Sequence, residues 1–349
     1  MGFFVMKIKT FGLFFYFLSF FAVGVSTARA GETIEKIKHR GTVLCGAKTF
    51  PKAYAYQDET KQWKGIDIDM CRIAAAAILG DADRIKVVSV SDTNGFSKLS
   101  SGEIDVLAAA TPWTIKTDTL YNAFFPAVFY HSALGFIGKM DEKTDSMNAY
   151  KGQKVCVAAS PFLLKSFTDY NKKYDLDLRL MKMPDIRRAK EFYYLGRCDL
   201  LFDRIEILRS DYFSDAPETV SKTVLPEVVH PYATGVFIKN TDKELFAVLR
   251  WTFYALMTAE RKGITSQNTE DFENTRDAGI RALLNDEEEV SKKLGVPGGF
   301  MRRVIATTGN YGEIYERNLG DKSPLKIPRT TMNRQPAFKA SVWSPDFDE

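Results

Sequence analysis

Two series of short apolar runs alternating with helical-period segments, separated by one long apolar passage and closed by another, constrain this chain more than any other feature. The first series predicts a helix over 33–39, a strand over 42–46 and a helix in which Ile66, Met70, Ile73 and Ala77 recur at helical spacing. It continues with a strand over 85–90, a helix through Phe96 and Leu99, and a strand over 105–110. The apolar passage 124–136 ends in the polar run 139–145, after which the pattern restarts: strand 154–158, helix 162–174, strand 177–181, helix 186–194, strand 199–202. A second apolar passage, 224–238, brings the chain back. Strands alternating with helices predict α/β units built on parallel sheets. Two such units joined by two crossings predict two lobes and a hinge, and hinges serve closure on a ligand.

Beyond the return crossing, Phe246, Leu249, Phe253 and Leu256 mark the inner face of a long helix over 242–262. The charged stretch 285–293 reads as a solvated helix. Pro324, Pro328, Pro336 and Pro345 punctuate what should be an extended strap or a partly disordered tail. The expected division is therefore a leader over 1–30, a discontinuous first lobe over 31–130 and 236–320, a second lobe over 131–235, and a strap or tail over 321–349.

The leader follows from Lys7 and Lys9 ahead of the apolar run 11–25 and from Ala28-Arg29-Ala30, a small-x-small pattern that places cleavage before Gly31. Met6 is a second candidate start. The run is short for a membrane span and lacks a basic stop-transfer flank, so a secreted, periplasmic product is expected. Of the formal charge of +4, three units lie on Lys7, Lys9 and Arg29, so the processed chain is close to neutral, which argues against nucleic acid as a partner. Cys45, Cys71, Cys156 and Cys198 form an even set in an exported chain and favour two disulfides, with three pairings open. Their spacing fits no zinc or redox motif, and the three histidines are scattered, so neither metal nor cofactor is expected.

The candidate ligand site is the stretch 102–119. Its strand feeds a polar loop that opens a helix, and in open α/β sheets ligands sit beyond the carboxyl ends of strands. Thr111, Trp113, Thr114 and Lys116 are the expected ligand-facing residues there, with Tyr54 at the cleft mouth. Glu103 and Asp105 are the nearest acids, but neither has a visible catalytic partner. No nucleophile elbow, P-loop or dinucleotide fingerprint occurs, so an enzyme is not expected.

Several stretches together resemble the periplasmic solute-binding subunits of general L-amino acid ABC importers, the polar amino acid branch of the type II periplasmic binding proteins. They are Asp67-Ile-Asp-Met-Cys-Arg-Ile-Ala-Ala-Ala, Ser101-Gly-Glu-Ile-Asp-Val-Leu, Trp113-Thr, Val155-Cys-Val, Gly196-Arg-Cys-Asp, Arg250-Trp-Thr-Phe-Tyr-Ala-Leu and Gly309-Asn-Tyr-Gly-Glu-Ile-Tyr-Glu-Arg-Asn. The resemblance spans nearly the whole processed chain. It implies a monomer of two α/β lobes, a small solute trapped between them, delivery to a membrane permease, and one disulfide per lobe, Cys45 to Cys71 and Cys156 to Cys198.

The resemblance fails at the ligand anchors. Where the family carries a carboxylate-binding arginine after the Trp-Thr pair, this chain has Thr117, with Lys116 beside it. The family's glycine-and-threonine turn is replaced by Ser160-Pro161-Phe162-Leu163, and proline supplies no N–H. The ammonium-binding aspartate becomes Arg204, with Asp203 one place early and expected to face the other way. Each lost charged contact costs about 1.5–3 kcal/mol. The expected mechanism is a clamp in which solute meets the first lobe at 111–116 and the second lobe closes through Ser160 and Arg204, with Tyr54, Trp113 and Phe162 offering apolar or stacking walls. Lys116 and Arg204 favour an anionic solute. The alternative is a paralogue that has lost amino acid binding and serves as a docking or assembly partner or binds a different, anionic solute.

Overall fold

The computed structural model describes residues 1–2, 31–140, 146–285 and 288–334. Residues 3–30 of the predicted leader and 335–349 of the predicted tail lie outside the described residues. The strands are β1 Val43–Ala47, β2 Tyr56–Gln57, β3 Trp63–Lys64, β4 Ile85–Ser89, β5 Val106–Ala108, β6 Ala123–Phe124, β7 Val128–Gly138, β8 Lys154–Ala158, β9 Arg179–Met183, β10 Leu200–Arg204, β11 Val229–Gly235 and β12 Ile238–Lys239. The helices are α1 Glu32–Arg40, α2 Ile66–Leu79, α3 Gly95–Ser101, α4 Ile115–Leu120, α5 Pro161–Lys173, α6 Ile186–Tyr194, α7 Ile205–Leu208, α8 Lys243–Arg261, α9 Ala278–Leu284, α10 Glu288–Leu294, α11 Phe300–Thr308 and α12 Tyr311–Asn318.

One sheet has the order β4-β1-β5, all parallel; the other has the order β11-β7-β10-β8-β9. In the second sheet β10, β8 and β9 are parallel, while β7 runs antiparallel to both β10 and β11. The two apolar passages of the sequence are the crossings. On the side of the first sheet β6 pairs with β12, and the same two segments continue into the second sheet as β7 and β11. The β7/β11 ladder shifts register twice, between Val229 and Tyr232 and between Thr234 and Gly235, and such irregularities bend and twist a two-stranded ribbon. The architecture is a two-lobe α/β fold with a paired hinge.

The sequence explains the elements locally. Asp242 caps α8 by accepting from the Leu245 N–H and also accepts from the Thr33 N–H, fastening α1 to the long helix. Asn310 and Glu313 form a capping box on α12. Gly65, at φ +113°, has no alternative: a Cβ there would lie 2.0 Å from the Tyr54 carbonyl oxygen. That close approach seats the Tyr54 loop on the start of α2, where the Asp67 N–H donates to the Tyr54 carbonyl at 3.2 Å.

The disulfides are Cys45–Cys71, joining β1 to α2, and Cys156–Cys198, joining β8 to the turn before β10. The pairing implied by the family resemblance is the one present. The charged segment near 288 is a mostly exposed helix, α10. The described part of the strap runs without regular structure to a short 3₁₀ turn at Thr331–Asn333. No helix among the described residues is long and apolar enough to cross a membrane.

Candidate functional site

Lys48 follows the end of β1, Asp92 lies in the turn after β4, and Arg204 is the last residue of β10. These are carboxyl ends of strands in both sheets, so the lobes meet where an open α/β fold presents its ligand-binding edge. Arg204 Nη2 faces both Asp92 carboxylate oxygens across the cleft, at 3.2 and 3.3 Å. Lys48 Nζ forms a close ion pair with Asp92 from within the first lobe. Asp203 accepts the Arg204 N–H at 2.7 Å and lies 3.7 Å from Nη1. The Lys48 and Arg204 side chains are 8% and 4% exposed, so little water screens them.

A second polar contact spans the lobes. Tyr54 donates its hydroxyl to Glu206 at 3.1 Å, and Ser132 on β7 donates to the same carboxylate oxygen at 2.8 Å. Around these groups Phe162 packs edge-on against Tyr232 at 4.9 Å and His230 at 5.4 Å, and the Arg204 guanidinium sits 5.8 Å from the Phe162 ring centre. The Tyr130 hydroxyl and Arg204 Nε are buried with no hydrogen-bond partner among the described residues.

Burial acts on every ionisable group here, and the neighbours decide the outcome. Burial pulls the Asp92 carboxyl up, but Arg204 and Lys48 together hold it well below the usual carboxylate range. Burial, then the like charge of Arg204, lowers Lys48. Burial opposes the Arg204 charge, yet Asp92 and its other neighbours hold the guanidinium firmly protonated. Asp203 is pushed up to about 6 by burial, against the pull of Arg204. Burial also raises Glu206 and Asp67. Tyr54 rises through burial and then the Glu206 charge.

The sequence-predicted residues separate into two groups. Tyr54, Phe162 and Arg204 come together at the lobe interface, and Ser160, two residues before Phe162, is buried at the N-cap of α5, where Pro161 occupies the first helical position. The stretch 111–116 does other things. Thr114 and Thr117 cap α4 reciprocally: each hydroxyl accepts the other's backbone N–H, at 3.1 and 2.8 Å, and Thr117 donates to the Pro112 carbonyl. Thr111 is half-buried in a loop that bridges to β11 through Pro112 and Thr234. Trp113 stacks on Phe125 at 4.7 Å, its indole donates to Asp118, and its backbone N–H donates to Ala233. Lys116 is exposed and enters no ion pair among the described residues.

Two expectations are corrected by this geometry. The first-lobe cation in the cleft is Lys48, because α4 turns Lys116 to solvent. Asp203 is not separated from Arg204 by strand alternation: β10 runs on to Arg204, α7 starts immediately after it, and both side chains are buried in one cluster. Lys48, Asp92, Glu206, Ser132, Tyr130 and Tyr232 went unassigned by sequence. The signal available was position, since Lys48 and Asp92 each follow a predicted strand end. Glu103 pairs with Lys98 on the surface, and Asp105 binds Arg40 and the Leu44 N–H, which makes both structural. A groove of about 650 Å³ opens at the outer edge of the interface, lined by Lys52, Tyr56 and Asp58 of the first lobe, Asp211 of the second, and Leu325 of the strap.

A two-lobe α/β fold with a paired hinge and buried charge between its lobes defines a type II periplasmic binding protein. No family model matches the chain. It is 32% identical to the general L-amino acid-binding periplasmic protein AapJ of Rhizobium johnstonii over 88% of this chain and 90% of that one. It is 29% identical to the glutamate/glutamine/aspartate/asparagine-binding protein BztA of Rhodobacter capsulatus over 93% and 95%. Among solved structures, an ABC transporter periplasmic binding protein from Brucella ovis with glutathione bound superposes with a TM-score of 0.77, at 31% identity, covering 85% of this chain and 94% of that one. The chain belongs to the periplasmic amino-acid-binding proteins of ABC transporters and is a solute-binding subunit. This kinship supports delivery of a solute over the docking-partner alternative.

Proposed function

We propose that this protein is exported by cleavage before Gly31, works in the periplasm as a monomer, and clamps a small carboxylate-bearing solute of the amino acid class for an ABC permease. The lobes are 31–130 with 236–320, and 131–235. The observation that supports this most directly is the convergence of two buried cations, Lys48 and Arg204, from opposite lobes on one carboxylate. A guanidinium and an ammonium so placed can hold a solute carboxylate by charge-assisted hydrogen bonds. Phe162, Tyr54 and Tyr232 supply walls, and Glu206 offers an acceptor for an ammonium group. Ser160 closes from the second lobe. Closure follows only if the solute binds the closed arrangement better than the open one.

The assigned roles are binding roles, not catalytic ones, and the matched relatives are binding proteins. Calorimetry on the exported, processed protein against the common L-amino acids, dicarboxylates, inorganic phosphate and glutathione tests the reading. Binding of at least one carboxylate-bearing probe at micromolar or better affinity, lost in Arg204→Gln, is expected. Silence across the panel overturns it.

A further inference from the structure

The charged cluster at the lobe interface is unevenly anchored. Lys48 and Arg204 are almost wholly buried, and Arg204 is fixed by Asp203 and by its place at the end of β10. Asp92 is the loose partner: its side chain is 28% exposed, and the 91–94 turn is held by its neighbours, with Asn94 accepting from the Ser91 N–H and the Ser91 and Thr93 hydroxyls pairing. The fit is also incomplete. Asp92 meets the guanidinium through Nη2, while Nε is buried with no hydrogen-bond partner among the described residues. A carboxylate arriving side-on can take Nη2 and Nε in two parallel bonds, the arrangement guanidinium groups favour.

We propose that Lys48 and Arg204 form the carboxylate cradle of the cleft and that Asp92 is a built-in surrogate for the solute's carboxylate, a latch that the solute displaces on binding. The inference rests on the reading of the cleft as a carboxylate-binding site. Its chemical consequence is selectivity. A solute with a carboxylate replaces Asp92 like for like and leaves both cations paired, whereas a neutral solute that dislodged Asp92 would leave Lys48 without its ion-pair partner and Arg204 with Asp203 alone. Asp92 is thereby a specificity-determining residue without being a solute contact. It also joins the lobes, because Arg204 belongs to the second sheet and Asp92 to the turn after β4.

The test is Asp92→Asn in the exported, processed protein, an isosteric change on an exposed turn. Small-angle scattering without added solute should give a larger radius of gyration for Asp92→Asn than for the parent, because the cross-lobe ion pair is gone. Calorimetry with L-glutamate, L-glutamine and glutathione should show about tenfold tighter binding of whichever probe the parent binds, since the latched population no longer competes. Arg204→Gln added to Asp92→Asn should abolish that binding; if the double variant does not fold, Lys48→Gln replaces Arg204→Gln, with a clear loss of affinity expected. An unchanged radius of gyration overturns the latch. Weaker binding by Asp92→Asn also overturns it, because Asp92 would then be a contact for the solute's ammonium group. If neither protein binds any probe, the reading of the cleft as a carboxylate site fails, while the scattering comparison still decides the latch.

Discussion

Asp203 and Asp92 lie on opposite sides of one guanidinium and depart from the ordinary aspartate value in opposite directions. Asp92 has two cations against it; Asp203 is more deeply buried and shares Arg204 with a stronger competitor. For Asp203 the folded value of about 6 exceeds the reference 3.8, so the folded state holds the proton over that interval and the unfolded state does not. Stability therefore falls as pH rises from about 4 to about 6, and the penalty persists above that. Asp92 acts in the other sense, contributing stability above its unfolded value that disappears as acid protonates it. Asp203→Asn keeps an oxygen for the Arg204 N–H and removes the charge. It should stabilise the protein at pH 7–8 by up to about 3 kcal/mol, at about 1.4 kcal/mol per unit, with the gain vanishing near pH 4. Urea denaturation of both proteins between pH 4 and 8 checks this; a constant difference across that range would remove Asp203 as its source. At the same scale, Thr117→Arg places an arginine where the family carries one but breaks the reciprocal cap on α4, so it should cost about 1 kcal/mol in denaturant titration. It should bring no gain in solute affinity by calorimetry.

The elements were more legible than the site they build. Helix 186–194 stands as read from the sequence, and α8 begins one residue inside the predicted 242–262 because Asp242 is its cap. Strong periodicity and capping residues are local signals, and they locate such elements without the rest of the molecule. The end of β10 is different. Nothing local distinguishes a strand stopping at Phe202 from one reaching Arg204; pairing with β7, where Arg204 sits opposite Leu134, extends it. That two-residue extension decides where Arg204 lies. The Arg204–Asp92 contact, 112 residues apart, has no local signature at all. The strap was equally opaque. Its prolines announce extended chain, yet Asn333 uses its side-chain amide as a strand would, accepting the His131 N–H at 2.7 Å and donating to the His131 carbonyl at 2.9 Å. Arg329 anchors the same segment with a two-nitrogen pair to Glu260, at 2.5 and 2.7 Å. The strap thus grips β7 beside the crossing. Asn333→Ala removes both hydrogen bonds to the His131 backbone and should cost about 1–3 kcal/mol in chemical denaturation. A loss below a few tenths would mean that the strap rests on the hinge without holding it.

The whole molecule combines two separately stapled lobes with an interface that joins them. Each disulfide closes a loop within one sheet's own stretch of chain: Cys45–Cys71 spans 26 residues around β1 and α2, and Cys156–Cys198 spans 42 around β8, α5, β9 and α6. Neither crosses the hinge, so neither restrains the angle between the lobes. Their contribution lies in the unfolded chain, whose freedom each link reduces by an amount that grows slowly with loop length. The loop lengths correspond to about 3.5 kcal/mol for the first and about 4 kcal/mol for the second. The lobes are also coupled in the folded state. A buried apolar cluster continues from Ile34 through Phe129 and Tyr130 to Leu201 and Phe213, and the Tyr54–Glu206 and Arg204–Asp92 contacts add polar links. Replacing Cys156 and Cys198 by alanine should therefore lower global stability by about 4 kcal/mol while leaving one cooperative transition, because the second lobe cannot unfold without exposing the shared cluster. Solute affinity measured well below the melting temperature should stay within about twofold of the parent, since Cys156 lies in the middle of β8 and Cys198 ahead of β10, while the cleft residues lie at and beyond the strands' carboxyl ends. Calorimetric unfolding and titration of the same preparation decide the matter. Two resolved transitions would show lobes that fold independently, and a large loss of affinity would place the second disulfide in the machinery of closure.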